Sequence, residues 1–117
     1  DLKYDEFVEL LNVIYPSHAR IKANTVEFLL RLGDRFGIDY VLRQCVAFLG
    51  TPHAAYILVP KKLLWVDLYC FSEIDNLCKA LFKKIDDVRI LKSYPNELAC
   101  LPDRVMLAVM RQCLKVI

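Results

Sequence analysis

A shift of 33 residues lays one stretch of this chain on the next without a gap. Leu30 falls on Leu63, Asp34 on Asp67, Phe36 on Tyr69, Val41 on Ile74, Cys45 on Cys78 and Phe48 on Leu81, and the helix-capping candidates Asp39 and Ser72 coincide as well. Each copy reads as two amphipathic helices joined by a tight turn. A hairpin of that kind has an apolar face it cannot bury alone, so stacking one copy on the other removes both faces from water. The fold class expected is all-α: two stacked helical hairpins followed by C-terminal helices. The expected core of the repeat is Leu30, Phe36, Val41, Cys45, Phe48, Leu63, Tyr69, Ile74, Cys78 and Leu81. A longer helical solenoid is an alternative, although only two copies are visible where three or more are normally needed.

Local signals fill in the rest. Phe7, Leu10, Leu11 and Ile14 recur at helical spacing with Asp5, Glu6, Glu9 and Asn12 opposite, which predicts a helix over 5–14 ended by Pro16. Residues 19–22 are too short for a helix and mark the one place for a very short strand. Asn24 stands three residues before Glu27, the spacing of a capping box. The helix that follows carries a polar stripe of Glu27, Arg31, Asp34 and Arg35 between two apolar flanks, which places it in the middle of a bundle. Gly37 offers a left-handed residue, Asp39 an N-cap, and Gly50 with Pro52 a stop. The second hairpin runs over residues 60–69 and then from a Ser72 cap along the stripe Ile74, Leu77, Cys78, Leu81 and Ile85. Beyond it lie a short helical piece at 86–91, a turn around Pro95, and a last helix from Pro102 with Met106, Val109, Met110, Cys113 and Ile117 facing one way.

At 117 residues, with no linker or low-complexity tract, the chain fits one domain. Its hydrophobic fraction, 56%, exceeds that of ordinary globular chains even when Gly is counted in place of Tyr. Either the chain packs unusually well or some apolar surface is covered by a partner. The first residue is Asp1 rather than Met, and an upstream segment is expected. Sixteen Lys and Arg against 14 Asp and Glu, with no run of like charge, leave no basic footprint for nucleic acid. The longest apolar stretches, 54–60 and 63–66, fall far short of a bilayer span, and no secretory pattern opens the chain. Five cysteines, Cys45, Cys70, Cys78, Cys100 and Cys113, make an odd count without a C-x-x-C pair. Reduced thiols in a cytoplasmic or nuclear protein are expected, rather than a disulfide framework.

Nothing in the spacing points to chemistry. His18 and His53 fall in predicted loops, neither at a metal-ligand spacing. Cys45 with His53 is the one conceivable nucleophile pair, but Cys45 sits on an apolar face, where a thiol is inert packing. Asp34 and Asp67 recur with the repeat, and a structural role is copied with a repeat whereas a catalytic one is not; a hydrogen bond to the following turn is expected of each. The three glycines are scattered and form no phosphate loop. The expectation is no enzyme, no cofactor, no metal and no small-molecule substrate. Among the aromatics, Trp65, Tyr69 and Tyr56 are expected in the core.

The run Phe7-x-x-Leu10-Leu11-x-x-Ile14-Tyr15-Pro16, followed by Asn24-x-x-x-Phe28-Leu29-Leu30-x-Leu32-x-Asp34-x-Phe36-x-Ile38 and Cys45-x-x-Phe48-Leu49, resembles the second half of a BTB/POZ domain. Lys62-Leu63-Leu64-Trp65-Val66-Asp67-x-Tyr69 with Leu77-Cys78 is similar to the helical extension of ubiquitin-ligase adaptors that also carry a MATH domain, and the tail to the start of a BACK-like region. The chain departs from the pattern at Gly33 and Val66, where the family usually has Ala, and at Pro16-Ser17, in place of Thr-Gly. The resemblance implies a division into residues 1–50, the C-terminal helical half of a BTB/POZ domain, and 51–117, a BACK-like extension. It implies a protein-interaction module, a substrate adaptor whose partners are a cullin scaffold and a homodimer mate held through the upstream half. Tyr15, Pro16, Ser17 and His18 would lie on the cullin side. A self-associating transcriptional or cytoskeletal scaffold without a ligase role is the alternative within the same family.

Overall fold

The structure is a computed structural model and describes residues 3–14 and 20–117. Helix α1 (Tyr4–Ile14) precedes a hairpin of α2 (Val26–Phe36) and α3 (Asp39–Leu49), and a second hairpin of α4 (Val59–Cys70) and α5 (Ile74–Leu81) follows. Short helices α6 (Ile85–Arg89) and α7 (Pro95–Ala99) lead to the last helix, α8 (Asp103–Val116). No strand occurs among the described residues, in keeping with an all-α fold; residue 19 lies outside the description, and residues 20–22 are irregular. Thr25 provides the reason. Its hydroxyl accepts from the Lys22 N–H at 2.9 Å and donates to the Lys22 carbonyl at 3.2 Å, closing a turn that sends the chain into α2. This turn also takes the place of the capping box expected from Asn24.

The hairpins stack. Helix α2 packs along α4 and α3 along α5, while α1 lies across α2 and α3 at one end and α8 across α5 and α4 at the other. The result is elongated, 43 × 24 × 22 Å. Leu29, Leu30, Leu32, Val41, Cys45 and Leu49 of the first hairpin and Leu63, Val66 and Leu77 of the second have no solvent exposure. Burying each such side chain contributes roughly 1.5–3 kcal/mol, so this seam dominates the fold's stability. Ile74 and Cys78 are buried with them, and Phe48, Tyr69 and Leu81 are half-buried at the margin.

Two glycines shape the first hairpin. Gly37 ends α2 at φ +65°, a left-handed conformation, and its N–H returns to the Asp34 carbonyl. Gly50 ends α3 in an ordinary right-handed conformation, yet a Cβ there would sit 2.5 Å from Ala80 Cβ of α5. The residue is small because the second hairpin lies against it.

Several expectations are corrected. Phe36 is about half exposed rather than in the core, because it falls in the last turn of α2, where Arg35 stacks over its ring at 5.5 Å. Asp39 and Ser72 make no side-chain caps; Ile38 precedes α3, and Ser72 lies in a 3-10 turn before α5. Helix α5 stops at Leu81 because Phe82 leaves helical geometry to fill the core, 1% exposed. Ile85 is thereby moved to α6, whose start is fixed by the Asp87 carboxylate accepting the N–H groups of Lys83 and Lys84. Pro95 opens α7 rather than a turn, as a residue without N–H fits a first helical position. Helix α8 buries Val105, Ala108 and Val109, leaving Met110 and Ile117 exposed. Its sequence is apolar on two sides, so periodicity alone could not choose the inner one.

Candidate interaction surface

Polar contacts lock the helices that carry the surface. Arg31 of α2 donates to Glu6 of α1 at 3.0 Å and lies 3.9 Å from Glu27, one turn away. Glu27 in turn accepts from the Tyr69 hydroxyl of α4 at 2.9 Å. One chain of four side chains thus ties α1, the first hairpin and the second. Burial, then the Glu27 carboxylate, push the Tyr69 hydroxyl above its usual pKa, so it remains a donor at neutral pH. Glu6 Oε1 is buried without a hydrogen-bond partner among the described residues, which makes Glu6 depend on Arg31. At the far end Arg104 of α8 donates to Asp67 at 2.6 Å and stacks over Phe71 at 4.1 Å. Asp67 therefore serves α8 rather than the following turn; its counterpart Asp34 is exposed.

Between the end of α1, residues 20–23 and α3 runs a groove of about 730 Å³. Val13, Ile21 and Phe48 supply apolar surface to it, with Tyr40, Arg20, Lys22 and His53 around them. Such a mixture suits a peptide or protein segment with apolar and acidic groups. Sequence reading missed this groove because it joins residues from three separate segments, none forming a motif. Of the residues expected at the partner side, Tyr15, Pro16, Ser17 and His18 lie outside the described residues. Tyr56 is almost fully exposed in the loop between the hairpins, not in the core, because the short 3-10 turn Pro52–Ala54 swings that loop outward. Trp65 is half-buried, with the Lys61 ammonium 5.4 Å above its ring.

Burial makes three of the thiols unreactive. Desolvation, followed by the nearby Cys70, pushes the Cys45 thiol up to about 12, and burial likewise raises Cys70 and Cys78 to about 12. His53 is exposed on the 3-10 turn Pro52–Ala54, while Cys45 is sealed inside. Among the described residues no group of three or more His, Cys, Asp or Glu could hold a metal ion. No helix described is long and apolar enough to cross a membrane.

Two stacked helical hairpins flanking a groove form a surface on which a protein segment could dock. Residues 1–53 match the BTB/POZ domain family. All 117 residues are similar to BTB and MATH domain-containing protein 38 of Caenorhabditis elegans, with 37% identity across 30% of that protein. BTB and MATH domain-containing protein 36 of the same organism is 35% identical over 96 residues, 82% of this chain and 29% of that protein. The chain therefore spans about 30% of the length of these curated relatives. No solved structure gives a significant match.

Proposed function

We propose that this chain is the BTB-side portion of a substrate adaptor for a cullin-based ubiquitin ligase. The observation that carries this reading is the similarity to a BTB and MATH domain-containing protein over all 117 residues, extension included. In this reading the upstream half of the domain pairs two copies of the protein, and the helices of this chain brace that half. Residues 51–117 hold residues 1–50 through the shared seam and the Tyr69–Glu27–Arg31–Glu6 chain. Tyr15, Pro16, Ser17 and His18 meet the cullin, together with the groove of Arg20, Lys22 and His53. The substrate is selected by another domain of the parent protein, and ubiquitin is transferred by proteins recruited to the scaffold, so no residue here performs chemistry. Buried, protonated thiols fit a reducing cytoplasmic or nuclear setting.

The test is co-precipitation of the full-length parent protein with a cullin, beside an established adaptor as positive control. Recovery of the cullin, reduced by Tyr15→Ala, is the expected result. Clean failure where the control succeeds rejects the ligase role.

A further inference from the structure

Helix α8 is apolar on two opposite sides. Val105, Ala108 and Val109 turn inward, whereas Leu107, Met110, Leu114 and Ile117 are each more than half exposed. Their spacing of three, four and three residues is that of a coiled-coil seam, a single narrow stripe rather than a broad amphipathic face. At 100° per residue, Arg104, Arg111 and Lys115 fall along one edge of this stripe, and Met106 and Cys113 along the other. Two of the cations are already held within the chain: Arg104 by Asp67 and Arg111 by Asp75 at 3.3 Å. The Lys115 ammonium has no carboxylate partner among the described residues, and it lines a surface groove with Lys83 and Lys84, whose ammonium groups have none either. Asp86, in the same groove, pairs with Arg89.

We propose that the outer face of α8 docks an amphipathic helix of another protein, one with a Leu- or Ile-rich seam and acidic residues on the flank facing Lys83, Lys84 and Lys115. Charge decides the occupant. In an antiparallel pair of two α8 helices the basic edge of one copy meets that of the other, with exposed Asp103 as the one acidic group of the stripe, and in a parallel pair it meets Met106 and Cys113, so a second copy complements the ammonium groups less well than an acidic helix does. A membrane is disfavoured because the stripe is narrow and lacks the aromatic residues that anchor interfacial helices. An acidic helix satisfies both the seam and the unpaired ammonium groups. The surface lies outside residues 1–53, the part that matches the BTB/POZ family.

Three probes test it on the full chain: a three-heptad peptide with Leu and Ile at its seam and Glu on its flanks, the same peptide with Lys on its flanks, and phosphatidylserine-containing vesicles. Fluorescence anisotropy is expected to give the Glu peptide at least about tenfold tighter binding, a difference of roughly 1.4 kcal/mol. The advantage should shrink as salt rises. Met110→Ser with Leu114→Ser should abolish binding, and Lys83→Glu, Lys84→Glu and Lys115→Glu together should reverse the preference. All five residues are exposed, so thermal melts should match the wild type. Equal affinity for both peptides, binding to neither, binding to vesicles alone, or a dimer in sedimentation that the serine variant dissolves would each overturn the proposal.

Discussion

Replacing Gly50 by Ala probes the contact between the hairpins with a change of one methyl group. The new Cβ would lie 2.5 Å from Ala80 Cβ, so the helices must separate by about an ångström to restore ordinary contact. Adding a methyl to a packed site of this kind costs typically 1–3 kcal/mol. Gly50 sits at φ −84°, ψ −1°, which alanine adopts freely, so the same substitution in open space would stabilise by about 0.4–1 kcal/mol through the unfolded chain. The net expectation is a loss of about 1–2 kcal/mol, near 4–8 °C in Tm for a domain of this size. Ala80→Gly alone should cost up to about 1 kcal/mol in helix propensity. In the double variant the methyl at position 50 enters the space vacated at position 80, so the combined loss should fall short of the sum by about 1 kcal/mol. Urea unfolding followed by circular dichroism measures all four corners of this cycle. A Gly50→Ala protein as stable as the wild type or more so, or strict additivity, would mean that the hairpins do not meet there.

Tyr69→Phe removes the donor to Glu27 and should lower stability by about 0.5–1.5 kcal/mol, read as a shift in urea midpoint at constant slope. Arg31→Met leaves Glu6, with its side chain only 16% exposed, without its cation; a loss of about 1–3 kcal/mol is expected, and adding Glu6→Gln should recover part of it. A maleimide label followed by mass spectrometry should modify exposed Cys100 first, and Cys45, Cys70 and Cys78 only once the chain unfolds. Those three thiols ionise near 12 when folded but near 9 when unfolded, so their contribution to stability is intact below pH 9 and is lost as pH rises toward 12. Urea midpoints across that window should fall, and Cys45→Ala should flatten the decline.

The repeat made the hairpins legible, since apolar residues at matched positions state which faces must be hidden. Leu30 with Leu63 and Cys45 with Cys78 occupy equivalent buried places. Caps were less legible: Asp39 and Ser72 have the right chemistry at helix starts, but whether a side chain turns back to the backbone depends on the preceding dihedral angles, which a sequence does not display. Helix α8 was ambiguous for a different reason, as both its sides are apolar and the inner one is selected by Phe82 and α5 rather than by its own pattern. The groove of Val13, Ile21 and Phe48 was invisible because its members meet only after the chain has folded. The polar chain from Tyr69 to Glu6 was half visible: the Glu27–Arg31 spacing is a sequence signal, while its ends come from helices far away in sequence.

Native-state hydrogen exchange across α2, α3, α4 and α5 addresses the stack itself. If the two hairpins hide each other's apolar faces, the slowest amides in all four helices should exchange through a single opening, with one free energy equal to that of global unfolding. A second hairpin that opens at distinctly lower free energy while the first stays closed would contradict the shared core on which the interaction surface rests.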